Sequence, residues 1–156
     1  MKTTCQKNLS PIHGFTLIEL LVTITIITLL FSIGVAQYNK FNRRQILVKS
    51  KDELVSNLRL AQSKSLAAEK PTACTDTLSG YKVKFTDSQN YKIVAVCGNE
   101  IDVKADITLP TGVSKQAGNE IFFRVLSQGS PADATLTLQG FGETRIITVT
   151  TSGEIK

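Results

Sequence analysis

Hydrophobic and polar positions follow three different patterns along this chain. Residues 15–36, FTLIELLVTITIITLLFSIGVA, are almost wholly apolar and carry a single charge, Glu19. As a helix rising 1.5 Å per residue, this run is roughly 33 Å long, enough to cross the hydrocarbon core of a bilayer. It lacks the polar face that a surface helix of a soluble protein keeps. From 37 to 70 the apolar residues thin to a stripe. Leu47, Leu54, Leu58 and Ala61 recur at helical spacing, with Val48 and Val55 beside them. No proline lies between Pro11 and Pro71, and residues 43–70 are rich in strong helix formers. The pattern predicts one helix, membrane-spanning over 15–36 and amphipathic over 37–70, with Lys70 in its last turn and Pro71 as its stop.

Beyond Pro71 the period changes to two. GYKVKFT at 80–86 sets Tyr81, Val83 and Phe85 against Lys82 and Lys84. DSQN follows as a turn, and YKIVAVC at 91–97 alternates again, so the two runs predict a β-hairpin. Further strands are expected at 101–109, 120–126, 134–139 and 144–151, with turns at 110–119 and 127–133. Short, regularly spaced strands imply antiparallel sheet with one face to bury, and the stripe on the outer helix is its natural cover. The expected architecture is therefore α+β: a long N-terminal helix packed on small antiparallel β-sheets, which form a head over residues 71–156.

Composition changes the picture only where it is uneven. The 156 residues suit one ordinary domain and carry a formal net charge of +5. Residues 40–70 hold eight Lys or Arg against three Asp or Glu, whereas 71–156 hold eight against nine. The excess sits on the outer helix, where it reads as a solvated face. A near-neutral head argues against a general nucleic-acid binder. Residues 1–14, MKTTCQKNLSPIHG, are polar and precede the apolar run, the reverse of what a secretory signal cleaved after its apolar core requires. Any cut must fall before that run.

The segment Gly14-Phe15-Thr16-Leu17-Ile18-Glu19 opens the apolar run. It resembles the processing site of type IV prepilins and type II secretion pseudopilins: Gly, Phe, and a Glu inside about twenty apolar residues. The resemblance implies that a membrane-embedded prepilin peptidase removes the leader 1–14 after Gly14 and methylates the new amino terminus of Phe15. It also implies that the mature chain joins other pilin subunits in a helical filament of packed stalks. The residue chemistry agrees. Gly14 lets a protease approach the backbone. Glu19 is a carboxylate costly to hold in an apolar surround unless paired, and the freed Phe15 amine has the complementary sign. As i and i+4 residues of one helix the two share a face. Glu19 then either complements its own helix N-terminus or pairs with the amine of a neighbouring subunit, and the motif favours the neighbour. LRLAQSKSLAAEKPTAC at 58–74, Gly129 after EIFFRVL, and ITVTTSGEIK at the end resemble the minor pilins of the GspH/FimT type. In these the head is a long helix on two small antiparallel sheets.

Of the cysteines, Cys5 lies in the leader, which leaves Cys74 and Cys97. In an extracytoplasmic head this even pair reads as a disulfide, and unpaired each would be an ordinary buried Cys. Thr23, Thr25 and Thr28 can bond backbone carbonyls one turn back. The only histidine, His13, is also in the leader, and no metal-spaced cluster, phosphate loop or Ser-His-Asp set occurs. No catalytic residue, metal or cofactor is expected. The motif puts the N-terminus in the cytoplasm, the helix in the cytoplasmic (inner) membrane and the head outside. It overrides the heavier Lys/Arg flank after the helix, which alone would put 40–51 inside.

Three functions fit: a minor pilin or pseudopilin of a type IV pilus or type II secretion filament, a DNA-binding pilin for DNA uptake, or an unprocessed single-pass protein. DNA uptake requires a basic patch on the head, which only the 40–70 helix and isolated lysines such as Lys82, Lys84 and Lys92 could supply. Where some relatives carry Gly-Arg-x-Arg, this chain has Gly153-Glu154-Ile155-Lys156.

Overall fold

The computed structural model describes residues 14–118, 120–127 and 129–156, with the side chains of 32–34 and 36 outside the description. The leader expected over residues 1–14 lies outside the described residues except for Gly14, and Cys5 and His13 lie outside them with it. Helix α1 spans Leu17–Leu66 and is followed by β1 (Gly80–Phe85), β2 (Asn90–Cys97), β3 (Asn99–Thr108), β4 (Val113–Ala117), β5 (Glu120–Arg124), β6 (Ala134–Gly140) and β7 (Glu143–Val149). The chain divides between Lys40 and Phe41, so the outer part of α1 belongs with the strands and not with the apolar run.

In the first unit, residues 14–40, the helix exposes large apolar side chains on every side, from Leu17, Ile18 and Leu20 to Leu29, Leu30 and Phe31. Thr23, Thr25 and Thr28 donate their hydroxyls to backbone carbonyls one turn back, at 2.7–3.0 Å, so none is an unsatisfied polar group. Among the described residues no helix is long and apolar enough to cross a membrane. The span expected at 15–36 returns below as a proposal.

In the second unit one face of α1 is buried: Leu47, Leu54, Leu58 and Ala61, the anticipated stripe. They join a single core with Tyr81, Val83, Tyr91, Ile93, Ile121 and Phe123 from a four-stranded antiparallel sheet ordered β3-β2-β1-β5, and with Val113, Leu136, Leu138 and Ile147 from a three-stranded antiparallel sheet ordered β4-β6-β7. The polar members of the helix face are each matched. Ser50 Oγ donates to Ile46 O (2.8 Å), and Ser65 Oγ donates to Phe123 O (2.8 Å). Asn57 Nδ2 donates to the Tyr91 hydroxyl (2.7 Å) while its Oδ1 accepts from Lys104 Nζ (3.0 Å).

Three boundaries differ from expectation. The helix ends at Leu66, before Lys70 and Pro71. Ala68 takes φ 49°, its N–H bonds Ser65 O, and the Glu69 N–H bonds Lys64 O, the crossed pattern of a left-handed helix cap. The stretch 110–119, expected as turn, contains β4; its one fully buried residue is Val113, and its place in the sheet comes from backbone pairing with β6. The tail after β7 also pairs. Lys156 and Thr148 exchange both backbone hydrogen bonds at 3.0 Å.

Candidate functional site

The candidate site is the start of the first unit. Thr16 is the N-cap of α1: its carbonyl accepts from Leu20 N (3.1 Å) and its Oγ1 accepts from Glu19 N (3.3 Å). Phe15 therefore lies just before the helix, and the expectation that Phe15 and Glu19 share a helix face does not hold. Thr16-x-x-Glu19 is the sequence of a capping box, and Phe15 and Leu20 occupy the two positions that flank such a cap. The Thr-x-x-Glu spacing of this cap is legible in the sequence, inside the start of the apolar run.

Capping by Thr16 bears on Glu19. With the threonine hydroxyl serving the helix N-terminus, the Glu19 carboxylate is exposed and has no hydrogen-bond or ion-pair partner among the described residues. Phe15 is 80% exposed. A β-carbon added at Gly14 would meet nothing within 4 Å, so the chain's own packing does not require glycine there.

In the second unit Cys74 and Cys97 are joined by a disulfide with a Cα–Cα distance of 5.8 Å. It ties the connection after α1 to the end of β2. Gly129 sits against the carbonyl of Thr151, where a β-carbon would collide with backbone, so the loop before β6 and the tail can meet only through glycine.

The head lysines are engaged. Lys82 lies 3.1 Å from Glu100 and 3.3 Å from Glu120, Lys84 lies 3.1 Å from Glu100, and Lys92 lies 2.7 Å from Asp102. Hydrogen bonds from Lys82 and then Lys84 hold the Glu100 carboxyl below its usual range. Burial pulls Lys82 down, but hydrogen bonds to Glu100 and Glu120 outweigh it and the ammonium titrates above its ordinary value. Lys92 is raised chiefly by its hydrogen bond to Asp102. Lys156 pairs with Glu154 at 3.0 Å in the tail. Among the described residues no group of His, Cys, Asp or Glu could hold a metal ion.

Residues 9–35 match the family described as the prokaryotic N-terminal methylation motif, which contains Gly14, Phe15 and Glu19. No curated protein matches the chain. Among solved structures, the type IV minor pilin FimU of Pseudomonas aeruginosa PAO1 is similar in fold, with a TM-score of 0.56 and 14% identity over 74% of this chain and 90% of that one. The methylation motif opens the apolar helix, and an N-terminal helix packs on antiparallel sheets: the chain carries a prokaryotic N-terminal methylation motif and is similar in fold to a type IV minor pilin.

Proposed function

We propose that this protein is a minor pilin or pseudopilin, a structural subunit of a type IV pilus or type II secretion filament. Prepilin peptidase hydrolyses the bond between Gly14 and Phe15 and a methyl group is placed on the freed Phe15 amine. Residues 15–36 hold the mature chain in the cytoplasmic membrane with the head outside, until the helix moves into the filament. The apolar sequence of that run, broken by one charge, supports the anchorage.

The observation that carries the reading is Glu19, a carboxylate without a partner among the described residues, on a helix whose cap is already supplied by Thr16. In a filament the amine of a neighbouring Phe15 provides the missing cation. The test is Glu19→Ala in a host that assembles filaments, scored as protein recovered in sheared filaments against membranes. Insertion should be unchanged, because removing a charge from an apolar helix favours the bilayer. Incorporation should fall steeply, since the variant leaves an amine buried and unpaired, at a cost of roughly 3–5 kcal/mol. Equal recovery of variant and wild type would overturn the proposal. Gly14→Leu should leave a full-length species by intact mass. DNA uptake receives less support, because Lys82, Lys84 and Lys92 all face carboxylates.

A further inference from the structure

The loop between β6 and β7 holds a bulky aromatic where the backbone disfavours one. Gly140 pairs with Glu143, so Phe141 and Gly142 form a two-residue hairpin loop, and both have positive φ, 54° and 81°. Such loops favour Asn-Gly or Gly-Gly, because a side chain beyond Cβ is strained there. Burial does not account for the choice, since Phe141 is 41% exposed. One edge of its ring lies over Gly112, and the Arg43 guanidinium stands 5.9 Å from the ring centroid. Beside it Arg44 Nε approaches the Glu143 carboxylate (3.6 Å), which Arg145 also meets (3.2 Å). Three guanidinium groups against one carboxylate leave two positive charges around an exposed ring. Phe41, 60% exposed, precedes them on α1. In the chain, only seven positions separate Ala36, the end of the apolar run, from Arg43.

We propose that the β6–β7 loop and residues 41–44 of α1 form a contact surface for anionic phospholipid headgroups. Phe141 and Phe41 enter the boundary between headgroups and acyl chains, and Arg43 and Arg44 receive lipid phosphates. The occupant follows from the chemistry. Exposed aromatic rings beside arginines are the composition of an interfacial membrane contact, and the guanidinium fork matches phosphate oxygens two at a time. In the sequence, residues 41–44 follow closely on the run proposed to enter the bilayer. The inference rests on the membrane anchorage proposed above. It also gives the basic flank at 40–44 a role on the outer face, where the charge bias of membrane proteins does not call for it.

The test uses the full chain reconstituted in lipid nanodiscs of phosphatidylcholine alone or mixed with phosphatidylglycerol, with hydrogen exchange followed at the amides of 140–143. Exchange should slow in the phosphatidylglycerol discs. The protection should be lost in Arg43→Glu/Arg44→Glu, two exposed sites, and should weaken as salt rises. Together the two arginines should account for about thirtyfold in the bound-to-free ratio. Phe141→Asn separates lipid contact from folding. Asn suits this loop, so the head should melt no lower, while the lipid-dependent protection falls. Equal protection in both lipids, protection indifferent to charge reversal, or a Phe141→Asn variant that melts lower yet keeps its lipid protection each overturns the proposal. So does protection that needs no lipid and arises only on filament assembly, which assigns the surface to a second copy. If the chain fails to enter the discs, the anchorage reading fails and this inference falls with it, whereas insertion without lipid-dependent protection removes this inference alone.

Discussion

Helix α1 carries two apolar stretches with opposite fates. Between Leu17 and Phe31 its large side chains are exposed on every side, while between Leu47 and Ala61 four apolar positions on one face are buried to within 1%. The difference lies in the distribution of residues. The first stretch is apolar all round, so no single sheet face could cover it. The second concentrates its apolar atoms in a stripe that two small sheets can cover within the same chain. One helix thus displays a surface that is left exposed and a surface that has found its partner.

The largest expected effect tests this division directly. Leu58→Ala, at a fully buried site, should lower the unfolding free energy of the head by about 3–4 kcal/mol. Leu29→Ala, 70% exposed, should leave it unchanged. Denaturant titration followed by tyrosine fluorescence reads both, and a comparable loss from Leu29→Ala would erase the contrast. Next comes the disulfide. Cys74 and Cys97 are 23 residues apart, and removing the bond with Cys74→Ser/Cys97→Ser should cost about 3 kcal/mol from released chain entropy. Thiol alkylation of the unreduced protein should label neither residue. A head as stable without the bond would mean that the helix face alone holds it.

Much of this was legible in the sequence, and the exceptions share a cause. The stripe at 47, 54, 58 and 61 and the alternation through Tyr81, Val83 and Phe85 are periodic, so spacing alone located them. β4 was not legible: VSKQA offers one apolar anchor, and only the backbone of β6 makes it a strand. The helix end is not legible because Ala68 adopts the left-handed conformation usually left to glycine. The pairing of Lys82 and Lys84 with Glu100 depends on which strands lie side by side, and no local pattern encodes that. At the candidate site, Gly14, Phe15 and Glu19 are legible by motif, and the Thr16 cap by its Thr-x-x-Glu spacing, which the surrounding apolar run masks.

Two smaller effects sharpen the comparison within the buried half. Burial pushes the Tyr91 phenol up to about 12, against an opposing hydrogen bond from Asn57. A phenol that holds its proton more tightly when folded contributes stability that is complete below pH 10 and is lost as pH rises through 12. The contribution is roughly 2 kcal/mol once partial solvent screening is allowed for. Unfolding measured at pH 8 and pH 11.5 should show this loss, and Tyr91→Phe should flatten it. The smallest effect is a gain: Ala68→Gly should stabilise the head by about 0.5–1 kcal/mol by relieving the left-handed strain at the helix cap. A loss on that substitution would mean that Ala68 serves something other than the turn.

The hydrogen bonds from Asn57 to the Tyr91 hydroxyl and from Ser65 to the Phe123 carbonyl have a mechanical consequence. Leucines on a greasy face can slide by a helical turn and find another leucine, but these two bonds accept only one axial setting. A load applied along the outer part of α1 is therefore delivered to the four-stranded sheet at fixed points, through β2 and β5, as if by pegs in a shaft. Such a coupling allows a small head to be hauled by its helix without slipping on it.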